Sequence, residues 1–158
     1  MSKITTFYLV RHTTSEWNEK KIIQGHKNPY LSKAGIDEAN ELAKKLKGIN
    51  FDYVFSSDLL RAKKTAEIIA LEHMLEVQTT KILRERKYGK FEGKPDKEYD
   101  KFYKLLEKLT DAERYSFTMH GVESDKEIVE RLTTFLRETA IGYPGKKILA
   151  VTHGSVMR

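Results

Sequence analysis

Two short apolar runs, one near each end of the chain, stop abruptly at polar or charged residues. The first covers residues 4–10 and leads directly into Arg11 and His12. It is rich in β-branched and aromatic residues and contains no turn residue, which predicts a strand. Because the run is apolar on both faces, we expect a central strand of a parallel sheet with helices on both sides.

The second run, residues 148–152, leads into His153 and Gly154. Parallel strands of an open α/β sheet end at the same edge, and ligands bind beyond that edge. If both strands are central, Arg11, His12 and His153 converge there. A lone histidine after a strand is usually a capping or solvent-facing residue, so neither histidine alone indicates a function. The pair, together with the arginine, indicates a site.

Apolar residues recur at helical spacing in four segments between these strands. The expected helix starts are Ser32, residues 56–58, and a capping box formed by Ser124 and Glu127. Strands that alternate with helices favour a doubly wound fold, a three-layer α/β/α arrangement around a central, mostly parallel sheet. In chain order, the predicted elements are strand 4–10, loop 22–30, helix 33–47, strand 51–55, helix 59–70, strand 77–80, loop 82–93, helix 96–109, irregular segment 116–122, helix 125–141 and strand 148–152.

The length and composition set broad limits on the class of protein. A chain of 158 residues predicts a single domain over 1–158. Cys is absent, which excludes disulfides and thiolate metal ligands. The apolar runs are too short to span a bilayer, and the first strand begins too early to leave room for a signal peptide. We therefore expect no membrane association and a cytoplasmic protein.

The chain is basic, with 29 Lys and Arg against 23 Asp and Glu and a formal charge of +6. This balance favours anionic partners such as phosphorylated metabolites, nucleotides or nucleic acid. The lysines are spread along predicted helices and do not form a long run interleaved with aromatic residues. Nucleic acid is therefore the weaker expectation. Arg61 lies in the first turn of a predicted helix, where the helix dipole disfavours a cation, so a shared anion would explain it.

Five motifs in this order resemble the histidine phosphatase (phosphoglycerate mutase-like) superfamily, and the resemblance covers nearly the whole chain. Each motif alone would be weak evidence for this resemblance, but five motifs in the same order are strong evidence. The motifs are Leu9-Val10-Arg11-His12 with Glu16-Trp17-Asn18, Ser56-Ser57-Asp58-Leu59-x-Arg61-Ala62-x-x-Thr65-Ala66-Glu67, Leu83-Arg84-Glu85-Arg86-x-Tyr88-Gly89 with Glu92-Gly93, Gly121-Val122-Glu123-Ser124, and Val151-Thr152-His153-Gly154.

The resemblance implies phosphoryl transfer to a histidine and then to water, without a metal or another cofactor. It makes His12 the nucleophile and Glu85 the general acid. Phosphate monoesters are dianionic near neutral pH, so the site needs cations and hydrogen-bond donors in fixed positions. The residues that would bind or stabilise the phosphoryl group are Arg11, Arg61, His153, Asn18, Gly154, Gln24 and Gly25.

Two features depart from the family pattern. Thr13 stands where the family usually has glycine, and its side chain could narrow the site or alter a backbone contact to phosphate. The chain also ends at Arg158, whereas family members usually continue with a helix and a strand. We therefore expect an open flank beside the site and a last strand without one of its neighbours.

Several alternatives stay open at this point. Without the resemblance, Glu85 between Arg84 and Arg86 would be interpreted as a surface ion-pair residue. A metal held by His12, His153 and a carboxylate is conceivable, but two nearby arginines would repel a cation. A cofactor-dependent phosphoglycerate mutase and a non-catalytic phosphate-binding module both remain possible functions. The oligomeric state is open.

Within the family, the sequence favours a phosphatase. Only about thirty residues separate Gly93 from the 121–124 motif, which leaves little room for the lid that a mutase needs to exclude water. Residues 21–25 and 83–89 are similar to the fructose-2,6-bisphosphatase-like members. Small phosphorylated metabolites, and sugar phosphates first among them, are therefore the expected substrates.

Overall fold

The computed structural model describes residues 3–158 and contains a parallel sheet of four strands in the order β1-β4-β2-β3. β4 pairs with both β1 and β2, and every one of these pairings is parallel. Residues 148–151 in β4 are fully buried, as expected for an inner strand. The strands are β1 (Thr6–Arg11), β2 (Tyr53–Ser57), β3 (Val77–Thr80) and β4 (Lys147–Thr152).

Helices cover both faces of the sheet, so the predicted three-layer α/β/α fold is confirmed. Alternate residues of a strand point to opposite faces. On one face, Tyr8 and Val10 of β1 pack with the core formed by the second and third helices. On the other face, Phe7 and Leu9 pack against the last helix around Phe135. The helices are α1 (Glu16–Glu19), α2 (Lys33–Leu46), α3 (Leu60–Glu72), α4 (Asp100–Leu106), α5 (Asp111–Ser116) and α6 (Asp125–Gly142).

The predicted cap of α3 at residues 56–58 is wrong. Ser56 and Ser57 are the last residues of β2, and the N-cap of α3 is Leu59, which has no side-chain cap bond. The local Ser-Ser-Asp signal is outweighed because the strand continues to pair with β3 up to Ser57. The two serine hydroxyls are therefore available for longer-range contacts.

The segment predicted as one helix over 96–109 is broken. It contains a 3₁₀ turn at Asp96–Glu98, followed by α4, which ends at Leu106. A new helix, α5, then begins because Thr110 and Glu113 form a capping box and Thr110 itself is extended. Together with Ile23 and Phe91, Phe102 of α4 forms a separate small core below the loops.

The expectation that the last strand lacks a neighbour is also wrong. β4 is paired on both sides, and the edge strands of the sheet are β1 and β3. The chain order of the strands differs from their order in space, so a strand at the end of the sequence lies at the centre of the sheet. Within residues 3–158, no helix is both long enough and apolar enough to cross a membrane.

The central position of β4 predicts the sites that are most sensitive to truncation. Leu149 is fully buried, whereas Ile141 in α6 is 75% exposed. We expect Leu149→Ala to lower the free energy of unfolding by about 2–5 kcal/mol and Ile141→Ala by less than about 0.5 kcal/mol. Urea unfolding followed by circular dichroism measures both values. Equal losses from the two variants would contradict the described core.

Candidate active site

The carboxyl ends of β1 and β4 place His12 and His153 side by side. The two strands pair in register up to Arg11 and Thr152, so the next residue of each chain segment emerges at the same edge. The ring centroids of the two histidines are 5.0 Å apart. His12 is 5% exposed and His153 is fully buried. The structure thus brings together the residues whose convergence the parallel strands predicted.

The tautomer of His12 is set by a backbone carbonyl. Its Nδ1 lies 2.7 Å from the oxygen of Thr13. A carbonyl can only accept a hydrogen bond, so Nδ1 carries the ring proton. Nε2 is then unprotonated, and the Nε of Arg61 donates to it at 3.3 Å. His12 therefore presents an unprotonated nitrogen, which is the form that a nucleophile requires.

Arg61 is a buried cation with three hydrogen bonds. It lies in the first turn of α3 and is 1% exposed. Beside its bond to His12, Nη1 donates to the carbonyl of Lys27 and Nη2 to that of Gly25, each at 2.9 Å. Burial lowers the pKa of Arg61 to about 10, while the charges of Glu85 and Glu92 oppose the shift. The guanidinium is still protonated at neutral pH.

Both site histidines are neutral for the same physical reason. Burial lowers the pKa of His12 to about 3, and the positive charge of Arg61 contributes in the same direction. Burial, followed by the charge of Arg61, also holds the pKa of His153 well below its usual value. Desolvation disfavours the charged imidazolium, and a neighbouring cation disfavours it further. The site therefore holds fixed positive charge without requiring protonated histidine.

A cleft of about 430 Å³ opens above this pair and collects most of the predicted site residues. His153 and Arg61 are buried and lie next to His12. Gly154 lies against Arg11, since an added Cβ would come within 3.3 Å of the Arg11 Nε. The predicted residues that line the cleft are Arg11, His12, Asn18, Gln24, Gly25 and Glu85. Within residues 3–158, no group of three or more His, Cys, Asp or Glu side chains is placed to hold a metal ion.

Asn18 and Gln24 are oriented by a residue that the sequence analysis did not identify. Ser15 is fully buried; its hydroxyl donates to the amide oxygen of Gln24 at 2.8 Å, and its backbone N–H donates to that of Asn18 at 3.0 Å. Both amide oxygens therefore face Ser15, and their NH₂ groups are left as donors. The Ser15-x-x-Asn18 spacing of a capping box at the start of α1 was the signal that could have identified Ser15.

The loop of residues 22–30 approaches the site at a position that requires glycine. Gly25 has a φ of +47°, and a Cβ built there would lie 2.3 Å from the Glu92 carboxylate. The same carboxylate accepts hydrogen bonds from the backbone N–H groups of His26 and Tyr88. Glu92 therefore joins the two loops that form the rim, and any larger residue at position 25 would push them apart.

Glu85 is not an ion-pair partner of the arginines beside it. Arg84 makes two hydrogen bonds to Asp58, at 2.7 and 2.6 Å, and Arg86 pairs with Asp125. The Glu85 carboxylate instead lines the cleft and accepts a hydrogen bond from the backbone N–H of Arg86 at 2.7 Å. The interpretation of Glu85 as a surface ion-pair residue is therefore not supported by its contacts.

Two further motif residues, Glu123 and Tyr88, have different roles in the structure. Glu123 accepts hydrogen bonds from Arg131 at 2.6 and 3.1 Å and from the backbone N–H of Lys87, so it holds a loop. Tyr88 lines the cleft, and its hydroxyl lies 2.8 Å from the Ser155 hydroxyl. Ser155 also donates its backbone N–H to Glu85 at 3.3 Å. The segment after β4 thus contributes to the part of the cleft that contains Glu85.

Thr13 does not narrow the cleft. Its backbone N–H and its hydroxyl both lie 3.2 Å from the hydroxyl of Thr65, a fully buried residue of α3. The Thr65 hydroxyl donates to the carbonyl of Arg61 at 2.8 Å. Because the single proton of Thr65 is committed to that carbonyl, the Thr13 hydroxyl is the donor to Thr65. The Thr13 side chain therefore connects the loop that follows His12 to the helix of Arg61.

Comparison with known proteins identifies the same family that the motifs resemble. A family model described as the histidine phosphatase superfamily (branch 1) matches residues 7–158. The chain is 37% identical over 153 residues to phosphoglycerate mutase-like protein 4 of Arabidopsis thaliana, covering 95% of this chain and 66% of that protein. It is 33% identical over 155 residues to the uncharacterized phosphatase PhoE of Bacillus subtilis, covering 98% and 74%.

Solved structures agree with these relatives. Bacillus stearothermophilus YhfR superposes with a TM-score of 0.85 at 25% identity, covering 98% of this chain and 76% of that one. The chain thus spans 66% of the length of the plant relative and about three quarters of the two Bacillus proteins.

The neutral, buried histidines predict a pH dependence of stability. The unfolded chain binds protons at His12 and His153 below about pH 6.5, whereas the folded chain does not until a much lower pH. Stability should therefore fall as the pH decreases from 6.5 toward 3, by up to about 1.4 kcal/mol per pH unit for each histidine. Urea unfolding between pH 5 and 6.5 measures the slope above the range in which carboxylates titrate.

Two variants with the same substitution show which histidine causes this pH dependence of stability. His12→Asn should reduce it, and His120→Asn, which changes an exposed residue with a φ of +60°, should leave it unchanged. Asparagine tolerates such a backbone conformation. A wild-type stability that does not vary between pH 5 and 6.5 would contradict the burial of both rings.

Proposed function

The chain belongs to the histidine phosphatase superfamily, and from that membership we propose that it is a metal-independent phosphomonoesterase that forms a phosphohistidine on His12. The observation that carries the proposal is the unprotonated Nε2 of His12 at the floor of a cleft. Its Nδ1 proton is held by the Thr13 carbonyl, and two arginines lie beside it. An uncharged nitrogen next to fixed positive charge suits attack on a dianionic phosphate.

The reaction proceeds in two balanced steps. His12 Nε2 attacks phosphorus, the bond from phosphorus to the leaving oxygen breaks, and Glu85 gives its proton to that oxygen. Water then attacks the phosphohistidine, the P–N bond breaks, and the Glu85 carboxylate takes the proton of the water. Inorganic phosphate leaves and His12 returns to its neutral form. The same carboxyl group thus acts first as an acid and then as a base.

The positive charge near His12 supplies the electrostatic stabilisation. Arg61 is held by two carbonyls, so its guanidinium does not need to reorganise during the reaction. Its Nε, which donates to His12 Nε2 in the free site, lies next to the oxygens of a phosphoryl group bonded there. Arg11 is exposed at the edge of the cleft and can close on the phosphate from the solvent side. Asn18 and Gln24 add neutral amide donors.

The outer wall of the cleft favours hydrolysis of a phosphate attached to an uncharged group. It contains Asp96 and Asp100 together with Lys21 and Arg158, so its cations are balanced by carboxylates. A second anionic group on the substrate would find no net positive charge there. The connecting segment 94–120 is short and contains two short helices, which leaves little material to exclude water. A sugar phosphate fits this wall better than a phosphoglycerate.

The central test is covalent trapping. Brief incubation with a radiolabelled phosphomonoester, followed by an alkaline quench that preserves phosphohistidine, should label the wild-type protein but not His12→Ala. Glu85→Gln should turn over substrates with poor leaving groups more slowly by roughly 10²–10⁴-fold, because it lacks the proton to donate. Its rate on p-nitrophenyl phosphate should fall less, since that leaving group needs little protonation.

Two outcomes would argue against this mechanism. Label that persists in His12→Ala would exclude His12 as the nucleophile, and activity that is abolished by a chelator and restored by a divalent metal would exclude metal independence. A protein that binds inorganic phosphate with unchanged affinity in Glu85→Gln, and that has no turnover in any form, would be the non-catalytic binding module.

A substrate panel separates the phosphatase from the mutase. We expect release of inorganic phosphate from sugar phosphates and p-nitrophenyl phosphate to exceed any exchange between 2- and 3-phosphoglycerate. Asp96→Asn with Asp100→Asn should improve kcat/KM for phosphoglycerates by about threefold to tenfold, since two charges close to the second anion are removed. Glucose phosphates should change little and serve as the control. If the wild type exchanged 2- and 3-phosphoglycerate faster than it released phosphate, the protein would be a mutase and not a phosphatase.

A further inference from the structure

Ser57 is a buried hydroxyl that contacts the second site histidine. It is the last residue of β2, where it pairs with Thr80 of β3, and it is fully buried. Its Oγ lies 2.8 Å from the Nε2 of His153. Since Ser57 is not needed to cap α3, this contact to the histidine is the main use that the fold makes of its hydroxyl.

The hydrogen bonds of the Ser57 hydroxyl define which atom is the donor. Within residues 3–158, its Oγ has two partners, His153 Nε2 and the backbone N–H of Leu59 at 3.3 Å. If Nε2 carried the ring proton, the oxygen would accept twice and its own proton would have no acceptor. If Ser57 donates to Nε2, the hydroxyl uses its proton and accepts only from Leu59. The second arrangement satisfies both the hydroxyl of Ser57 and the Nε2 of His153.

The other nitrogen of His153 then carries the proton and lacks a protein partner. Nδ1 is buried, and none of the described residues forms a hydrogen bond with it. A buried N–H without an acceptor costs free energy, and such groups in folded proteins call for an explanation. Here the ring lies 5.0 Å from that of His12, beside the buried charge of Arg61. An anionic oxygen is the acceptor that suits the Nδ1–H of His153 next to this positive charge.

We propose that Ser57 is a positioning residue that donates to Nε2 of His153 and so places the ring proton on Nδ1, facing a phosphoryl oxygen. This inference rests on the proposed function, because it names how one side of the phosphoryl group is bound. A neutral imidazole N–H holds its proton firmly. His153 can therefore stabilise negative charge on the phosphoryl oxygens without protonating them.

The tautomer can be read directly by NMR on the full chain without substrate. In protein labelled with ¹⁵N at histidine, long-range ¹H–¹⁵N spectra should show His153 protonated at Nδ1 and unprotonated at Nε2. The His153→Gln variant assigns the signals. Ser57→Ala should move His153 toward the opposite tautomer, and Ser57→Thr, which keeps a hydroxyl, should restore the wild-type pattern.

Ser56→Ala is the matched control. Ser56 is the neighbouring buried serine of the same strand, but its hydroxyl donates to the carbonyl of Ser57 at 2.9 Å and not to the histidine. It should leave the His153 spectrum unchanged. With p-nitrophenyl phosphate, Ser57→Ala should lower kcat/KM on the order of tenfold and weaken inhibition by inorganic phosphate by a similar factor, the size of one hydrogen bond to a charged group.

The outcomes separate this proposal from the proposed function. A wild-type His153 protonated at Nε2 would overturn it, and this measurement requires no turnover. A Ser57→Ala protein with an unchanged tautomer would overturn it too, as would equal kinetic losses in Ser56→Ala. A wild-type protein that hydrolyses none of the phosphomonoesters would count against the phosphatase, while the spectrum would still decide the role of Ser57.

Discussion

The buried guanidinium of Arg61 is the constraint on which the rest of the site depends. A cation removed from water is tolerated only when its donors are satisfied, and Arg61 meets this condition with two carbonyls and one histidine nitrogen. These bonds determine the path of the loop that contains Lys27 and Gly25. They also require an acceptor at His12 Nε2, which keeps that nitrogen free of a proton. One charge therefore determines the path of a loop and the protonation state of His12.

Buried hydroxyl groups form hydrogen bonds that hold the other site residues in position. Ser15 orients two amides, Thr65 connects Thr13 to the backbone of Arg61, and Ser57 contacts His153. Small hydroxyls suit this position because each can donate once and accept twice in little space. The side chains that face the cleft are thus held by buried hydroxyls and are oriented in the free protein.

The charges of the site are separated by depth. Positive charge and neutral histidines lie at the sheet edge, where burial disfavours additional protons. Towards solvent, carboxylates of the outer wall balance the cations. In the proposed function, the phosphate group binds at the floor and the remainder of the substrate meets a wall without net charge. Under this proposal, the gradient lets a protein with a basic overall composition select one anionic group and not a polyanion.

Local sequence patterns determined much of the fold. Apolar runs without turn residues became strands, and the N-cap at Ser32 and the capping box at Ser124 mark helix starts that the structure retains. The resemblance named the residues that would converge, and parallel pairing explains why those that follow β1 and β4 do so. These predictions succeed because periodicity and capping depend on neighbours in the sequence, which a single chain displays directly.

Tertiary structure decided what local patterns leave open. The Ser-Ser-Asp signal predicted a cap, but pairing with β3 kept Ser57 in a strand and gave its hydroxyl to a histidine 96 residues away. The arginines beside Glu85 found other partners, Asp58 and Asp125, which only the fold brings near. Tautomers, burial and ion pairing depend on which distant groups share a low-dielectric space. The sequence by itself determined most of the elements and the chemical types of the site residues, and the packing of the sheet decided the protonation and the partners of those residues.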